Sequence, residues 1–195
     1  LVSKGLVYKQ LKPIHWSIGC ETALADAELE YENIESPSIF VNFPAEQNAV
    51  KKLRKLGLIG QDFEGTVSFM IWTTTPWTLA ANLAVAVHPK LEYVCIEYEM
   101  YGKRFASVVA AERVQAVTQA AGLKEDQYKV SRVKVTGDQL ESLRYKHPFV
   151  KQNPTDKDAY MVVLAEYVTI EDGTGLVHTA PGHGAEDYVT GMNYN

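Results

Sequence analysis

The sequence predicts a mostly β protein, an antiparallel β-barrel with peripheral α-helices. Three observations carry that expectation. Many short segments alternate or run apolar with β-branched and aromatic residues, only two stretches show helical spacing, and turn signals recur at short intervals with no regular alternation of strand and helix. A chain of 195 residues, 46% hydrophobic and 22% charged, is long enough for one substantial core, so a single domain over residues 1–195 is expected.

The first forty residues are the least patterned. Tyr8–Trp16 and Glu28–Ile34 are candidate strands extending away from the barrel, which makes residues 1–40 a candidate stalk or linker. Ser38–Phe43 opens the barrel proper. Glu46–Leu56 then places Val50, Leu53 and Leu56 near one face and stops at Gly57, the pattern of an amphipathic helix with a glycine terminus. Strands are expected at Val67–Trp72, Asn82–Val87, Leu91–Tyr98 and Arg104–Val109, with Tyr101-Gly102 turning the last pair. Ala111–Ala121 aligns Val114, Val117 and Ala121 before Gly122 as a second helix. Tyr128–Val135, Tyr160–Ile170 and Gly175–His178 complete the strands, punctuated by Thr136-Gly137-Asp138 and Glu171-Asp172-Gly173.

Several function classes drop out. The chain has no run of eighteen apolar residues, and Leu1-Val2-Ser3-Lys4-Gly5 has neither an initiator methionine nor the apolar stretch of a signal peptide, so no membrane or secretory role is expected. The ragged ends at Leu1 and Asn195 suggest a domain excised from a longer polypeptide. Two cysteines, Cys20 and Cys95, cannot build a disulfide framework or a four-sulfur metal site, which fits a reducing compartment. A formal charge of -5 argues against a general nucleic-acid coat, so any polyanion must be gripped by a local patch. The densest basic cluster is Lys51, Lys52, Arg54 and Lys55 on the first helix, for which a merely solvated face is the competing reading.

Two segments stand out chemically. In Trp72-Thr73-Thr74-Thr75-Pro76-Trp77-Thr78-Leu79-Ala80-Ala81-Asn82, three threonines follow an apolar strand and offer hydroxyls and N–H groups where the chain leaves its sheet. Pro76 sets the exit direction, and two tryptophans flank the cluster as a wall. The second segment, Gly173 to Tyr188, is the richest in glycine and histidine. A strand delivers His178, and a Gly/Pro loop then presents Glu186 and Asp187 where a helical turn can begin. It lacks the spacing of a phosphate loop. His178, His183 and Glu186 or Asp187 are suitable metal-ligand types without a zinc spacing, and no nucleophile elbow accompanies His178 and Asp187. A glycine loop around a hydrogen-bonded structural histidine remains the plain alternative for this segment, as a Thr-rich strand end does for the first.

Together, Trp72 to Leu79 and Gly173-Thr174-Gly175-Leu176-Val177-His178-Thr179-Ala180-Pro181-Gly182-His183-Gly184 closely resemble the editing domain of isoleucyl-tRNA synthetases. The likeness also takes in Val7-Tyr8-Lys9, Lys12-Pro13-Ile14-His15-Trp16, Ala23 to Tyr31 and Ser36-Pro37-Ser38-Ile39, nearly the whole chain. Valyl and leucyl relatives typically have Thr-Thr-Arg-Pro followed by an acidic residue, where this chain has Thr75, Pro76 and Trp77. The resemblance implies the class I synthetase editing-domain fold and hydrolytic proofreading: release of valine from mischarged isoleucine tRNA, or from valyl-adenylate. A non-catalytic module that binds the tRNA end or a partner is the alternative. Such a domain answers a physical limit, because one methylene in an apolar pocket yields only about 10- to 200-fold discrimination, and isoleucine against valine is the standard example.

Carried over residue by residue, the resemblance makes Asp187 the partner of the substrate ammonium and His178 a size gate and positioning group. Thr73, Thr74 and Thr75 become contacts to substrate and hydrolytic water, Asn82 a contact near the adenosine end, and Trp72 part of the pocket wall. It implies no metal or cofactor for this domain, ATP and magnesium serving the parent enzyme. It also implies tRNA(Ile) and the remainder of the synthetase chain as partners, and a cytoplasmic location, with an organellar matrix or stroma as the alternative. The aminoacylation signatures His-Ile-Gly-His and Lys-Met-Ser-Lys-Ser are absent, so no amino-acid activation is expected from these residues. Two departures are visible: Ala80 where many relatives have proline, and Ser17-Ile18-Gly19-Cys20 where some carry a Cys-x-x-Cys zinc knuckle.

Overall fold

The computed structural model describes residues 1–11, 13–151 and 159–194, so Lys12 of the N-terminal motif lies outside the described residues. The N-terminal hairpin pairs β1 (His15–Ser17) with β2 (Thr22–Leu24). Neither expected N-terminal strand forms as such. Among the described residues of Tyr8–Trp16 only the last two are paired, and residues 29–34 run irregularly with most side chains in solvent. At the hairpin tip Cys20 N–H donates to Ser17 Oγ at 3.2 Å.

The larger sheet holds β3 (Ile39–Pro44), β4 (Thr66–Thr73), β7 (Lys103–Ala110), β6 (Glu92–Met100) and β8 (Tyr128–Val130) in that spatial order, with β9 (Val135–Thr136) also on β6. The smaller sheet sets β5 (Ala84–Val87) between β10 (Met161–Leu164) and β11 (Leu176–Thr179). The fold is mostly β, as expected, but not purely antiparallel: β4 runs parallel to β7, and β5 parallel to β10. The ladders form separate sheets that trace no closed ring among the described residues.

Alternation along the strands explains the packing. Phe69 and Ile71 of β4, Val85 and Val87 of β5, Tyr93 and Cys95 of β6 and Val108 of β7 all enter one core between the two sheets. The opposite faces bury too. Ala84 and Ala86 meet Met161 and Val163, while Met70, Val94 and Val109 are covered by Val117 of α2 (Val114–Ala120). Helix α1 (Gln47–Lys55) puts Ala49 and Leu53 into the main core. Both helices stop before glycines with positive φ, 79° at Gly57 and 69° at Gly122, as their C-terminal glycines predict.

Two expected strands are shorter than their apolar runs. Tyr128–Val135 breaks because Ser131 intervenes: its Oγ accepts the Cys95 N–H at 3.0 Å and its N–H donates to Cys95 O at 2.8 Å. Tyr160–Ile170 is a strand only to Leu164, after which Ala165 and Val168 bury in a turn. Helix α3 (Ala185–Asn193) follows the glycine loop.

Candidate functional site

The two segments singled out by sequence meet. Strand β4 ends at Thr73, Pro76 opens a 3-10 helix over Pro76–Ala81, and β11 runs antiparallel to β5 with His178 opposite Val85. Between them lies a cleft of about 430 Å³ with Trp72, Thr73, Thr75, Trp77 and Thr78 on one side and Val177, His178, Ala180, His183, Gly184 and Asp187 on the other.

The threonine side is organised by its own hydroxyls. Thr75 N–H donates to Thr73 Oγ1 at 3.0 Å, and Thr78 Oγ1 donates to the Thr75 carbonyl at 2.8 Å, locking the turn that Pro76 starts. The Thr73 and Thr75 hydroxyls lie 3.2 Å apart, so only one of their two protons can lie between them; the other, when it is that of Thr73, is available to a guest, and when it is that of Thr75 it also has Thr78 Oγ1 at 3.5 Å. Trp72, half-buried, is backed by Gly173, whose φ of 65° and lack of a side chain let the chain pass: an added Cβ would sit 3.1 Å from Trp72 Cβ. Arg113 pins that loop, its guanidinium donating to the carbonyls of Gly173 (2.9 Å), Glu171 (3.0 Å) and Ile170 (3.3 Å).

On the facing side, the Ala180-to-His183 turn closes with His183 N–H on Ala180 O, and Gly184 caps α3. Asp187, in the first turn of α3, folds back so that Oδ2 accepts the Ala180 N–H at 2.8 Å. Gly184 leaves room for this, since a Cβ there would stand 3.2 Å from Asp187 Cγ. Oδ1 has no hydrogen bond among the described residues. Burial pushes the carboxyl above its ordinary value; the Ala180 N–H and His183 pull the other way, and Glu186 adds to the rise. A cation arriving at Oδ1 therefore favours the ionised form.

His178 is 8% exposed, with Thr78 Oγ1 at 2.8 Å from Nε2 and Asn82 Nδ2 at 3.3 Å from Nδ1. Burial first, then the rings of His183 and His147, push its pKa down to about 4. With both ring nitrogens engaged it is a neutral, hydrogen-bonded wall and not a free base.

Not every expected residue reaches the cleft. Thr74 points out of the strand end into solvent, and its carbonyl accepts from Ser36 Oγ at 3.2 Å. Asn82, 1% exposed, stands behind the wall with its amide engaged by Tyr145, Ala84 and His178, so a direct substrate contact gives way to a supporting place. Glu186 lies outside the lining, and among the described residues no three His, Cys, Asp or Glu side chains converge to hold a metal. Arg54 leaves the basic patch: its guanidinium donates to Phe63 O at 2.9 Å, while Lys51, Lys52 and Lys55 stay exposed. The sequence reading missed Thr78, Tyr145 and His147. Thr78 alone had a local signal, three residues after Thr75 in a Pro-initiated turn.

The family model described as tRNA synthetases class I (I, L, M and V) matches residues 1–171. Over its whole length the chain is 45% identical to an isoleucine–tRNA ligase of Moorella thermoacetica and 42% identical to that of Desulforamulus reducens. It spans 18% of the length of either relative. Its fold is similar to the P. knowlesi cytosolic leucyl-tRNA synthetase editing domain, with TM-score 0.60 and 11% identity over 77% of this chain and 59% of that one. With the family model spanning most of its residues, the chain belongs to the class I tRNA synthetases of the I, L, M and V group.

Proposed function

We propose that the cleft is a proofreading hydrolase site that releases valine from tRNA(Ile), and from valyl-adenylate within the longer synthetase. The observation that carries this reading is the Asp187 carboxylate, tethered by one oxygen and without a hydrogen bond at the other among the described residues, in the same cleft lining as Thr73 and Thr75. A substrate ammonium pairs with Oδ1, a contact worth about 1.5 to 3 kcal/mol. The aminoacyl ester is already activated, so holding a water in line and offering a hydroxyl proton to the developing oxyanion supply what the reaction needs. Thr73 and Thr75 are the groups placed for that. The wall of His178, Thr78 and Trp72 sets the size limit: the additional methylene of isoleucine overpacks it, at about 1 to 3 kcal/mol. Activation with ATP and magnesium belongs, on this reading, to parts of the synthetase beyond these residues, and residues 1–40 serve as the link to them.

The chain incubated with Val-tRNA(Ile) and Ile-tRNA(Ile) is expected to release valine and spare isoleucine. Binding of both without release supports a tRNA-end binding module instead. Asp187→Asn keeps an acceptor for the Ala180 N–H but loses the charge, so valine release should fall about 10- to 100-fold with the melting temperature nearly unchanged. Wild-type turnover in that variant refutes the ammonium anchor.

A further inference from the structure

His147 joins the aromatic core to the threonine side of the cleft. Its ring is 6% exposed and sits among Tyr160, Phe149 and Phe43, with centroids 5.3, 5.9 and 6.2 Å away. Nε2 lies 2.8 Å from the carbonyl of Leu79, and Nδ1 lies 3.0 Å from the N–H of Phe149 and 2.9 Å from that of Val150. The sense of all three bonds is fixed, because each partner is a backbone group that acts in one way only. An N–H donates, so Nδ1 carries no proton. A carbonyl accepts, so the proton of the ring is on Nε2 and points at Leu79.

That carbonyl belongs to the 3-10 helix Pro76–Ala81, which carries Thr78 into the cleft wall. Six residues is long for a helix of this kind, whose hydrogen bonds are poorly aligned and whose runs seldom exceed about three or four residues, so it needs support from outside. At its start the support is local: the Thr78 N–H and hydroxyl both donate to Thr75 O, at 3.0 and 2.8 Å. At its end Leu79 O takes the Asn82 N–H at 3.1 Å, and the His147 Nε2–H reaches the same oxygen from a distant part of the chain. The buried Leu79 side chain sets the depth of the helix, and the bond to its carbonyl sets which way the peptide faces. Thr78 is the residue next to Leu79, and its Oγ1 lies 2.8 Å from His178 Nε2, so the orientation of this turn is the orientation of the wall.

We propose that His147 is a positioning residue for specificity: its Nε2–H clamps the Leu79 carbonyl and so holds Thr78 against His178 in a wall that does not yield to isoleucine. The inference deepens the proofreading reading and rests on it only for the effect on hydrolysis. A pocket rejects one extra methylene only where its surroundings refuse to relax, because a wall that shifts removes the overpacking. With the clamp gone, the turn keeps its local bonds but loses the one that ties its far end to the core, and isoleucine gains entry.

The test separates the two nitrogens on the whole chain. His147→Gln puts an amide NH2 as many bonds from Cα as Nε2, keeping a donor for Leu79 and nothing for Phe149 and Val150. His147→Asn puts a carbonyl oxygen in the place of Nδ1, keeping that acceptor and no reach to Leu79. In His147→Asn the kcat/KM ratio of valine over isoleucine release is expected to fall about tenfold through a gain in isoleucine release, and in His147→Gln to stay within about twofold of wild type. Amide hydrogen exchange at Thr78 and Asn82 should quicken about tenfold in His147→Asn and little in His147→Gln. Nitrogen-15 spectra of the wild-type His147 ring near neutral pH, assigned by loss of its signals in the variants, should show protonated Nε2 and bare Nδ1. A bare Nε2 overturns the proposal without any variant. Wild-type selectivity in folded His147→Asn overturns it too, as does an equal loss in both variants, which assigns the effect to the lost ring packing. Should His147→Asn fail to fold, His147→Gln decides: isoleucine release by the folded variant overturns the clamp, and retained selectivity supports it. Faster exchange confined to His147→Asn, in a wild-type chain that releases no valine, supports the clamp and sinks the proofreading reading alone.

Discussion

Acidification is the sharpest probe of the cleft wall, because His178 refuses a proton that the unfolded chain accepts. Its imidazole is pushed from 6.5 down to about 4, chiefly by burial. A base whose folded pKa is depressed contributes its full stability above the unfolded value and loses it as pH falls toward the folded one, so the loss lies between pH 6.5 and about 4. Going from about pH 7 to about pH 5, the linkage integral for these two values amounts to about 2 kcal/mol of lost stability. Burial also holds the Asp187 carboxyl above its ordinary value, so acid acts on more than His178. The informative quantity is therefore the difference between wild type and His178→Gln, which retains hydrogen-bonding capacity but does not titrate. Urea unfolding of both proteins at the two pH values measures it. The wild type should lose about 2 kcal/mol more than the variant. Equal losses refute the reasoning, because they mean the ring protonates in place and is neither as buried nor as fully engaged as the geometry requires.

Two further outcomes are expected. Gly175→Ala should destabilise the chain by about 3 kcal/mol in chemical denaturation, since Gly175 has a φ of 74° and an added methyl collides with Ala110 Cβ; a loss below about 1 kcal/mol contradicts that packing. Combined Lys51→Glu and Lys52→Glu should weaken tRNA binding about tenfold at low salt in a filter-binding titration, and unchanged affinity removes the α1 face as a polyanion contact.

What sequence showed of this fold was what short-range periodicity can show. The alternation in β3, β4, β6 and β7 and the helical spacing before Gly57 and Gly122 each involve neighbours in the chain, and those elements form within a few residues of expectation. The parallel pairings of β4 with β7 and β5 with β10 join strands far apart in sequence, where no local pattern exists. The break at Ser131 depends on a hydroxyl finding the Cys95 amide, and apolar spacing carries no such information. The candidate site divides similarly. Trp72, Thr73, Thr75, His178 and Asp187 gather round one cleft, consistent with the motif resemblance. Strand parity turns Thr74 outward, and Asn82 is drawn behind the wall by Tyr145, a residue with no motif around it.

The position of β5 has a kinetic consequence. This four-residue strand, entirely apolar, has β10 along one edge and β11 along the other, and both partners come from well downstream of the long excursion through the larger sheet. Until those partners are synthesised, Ala84–Val87 has two unpaired edges, and its Ala84 and Ala86 face lacks the cover that Met161 and Val163 provide. Closing loops of that length is entropically slow, so the cleft is among the last features to mature after the ribosome releases the segment. During that interval the nascent chain is most exposed to strand-swapped association, and holdase chaperones that shield apolar edges should raise the yield of correctly assembled product.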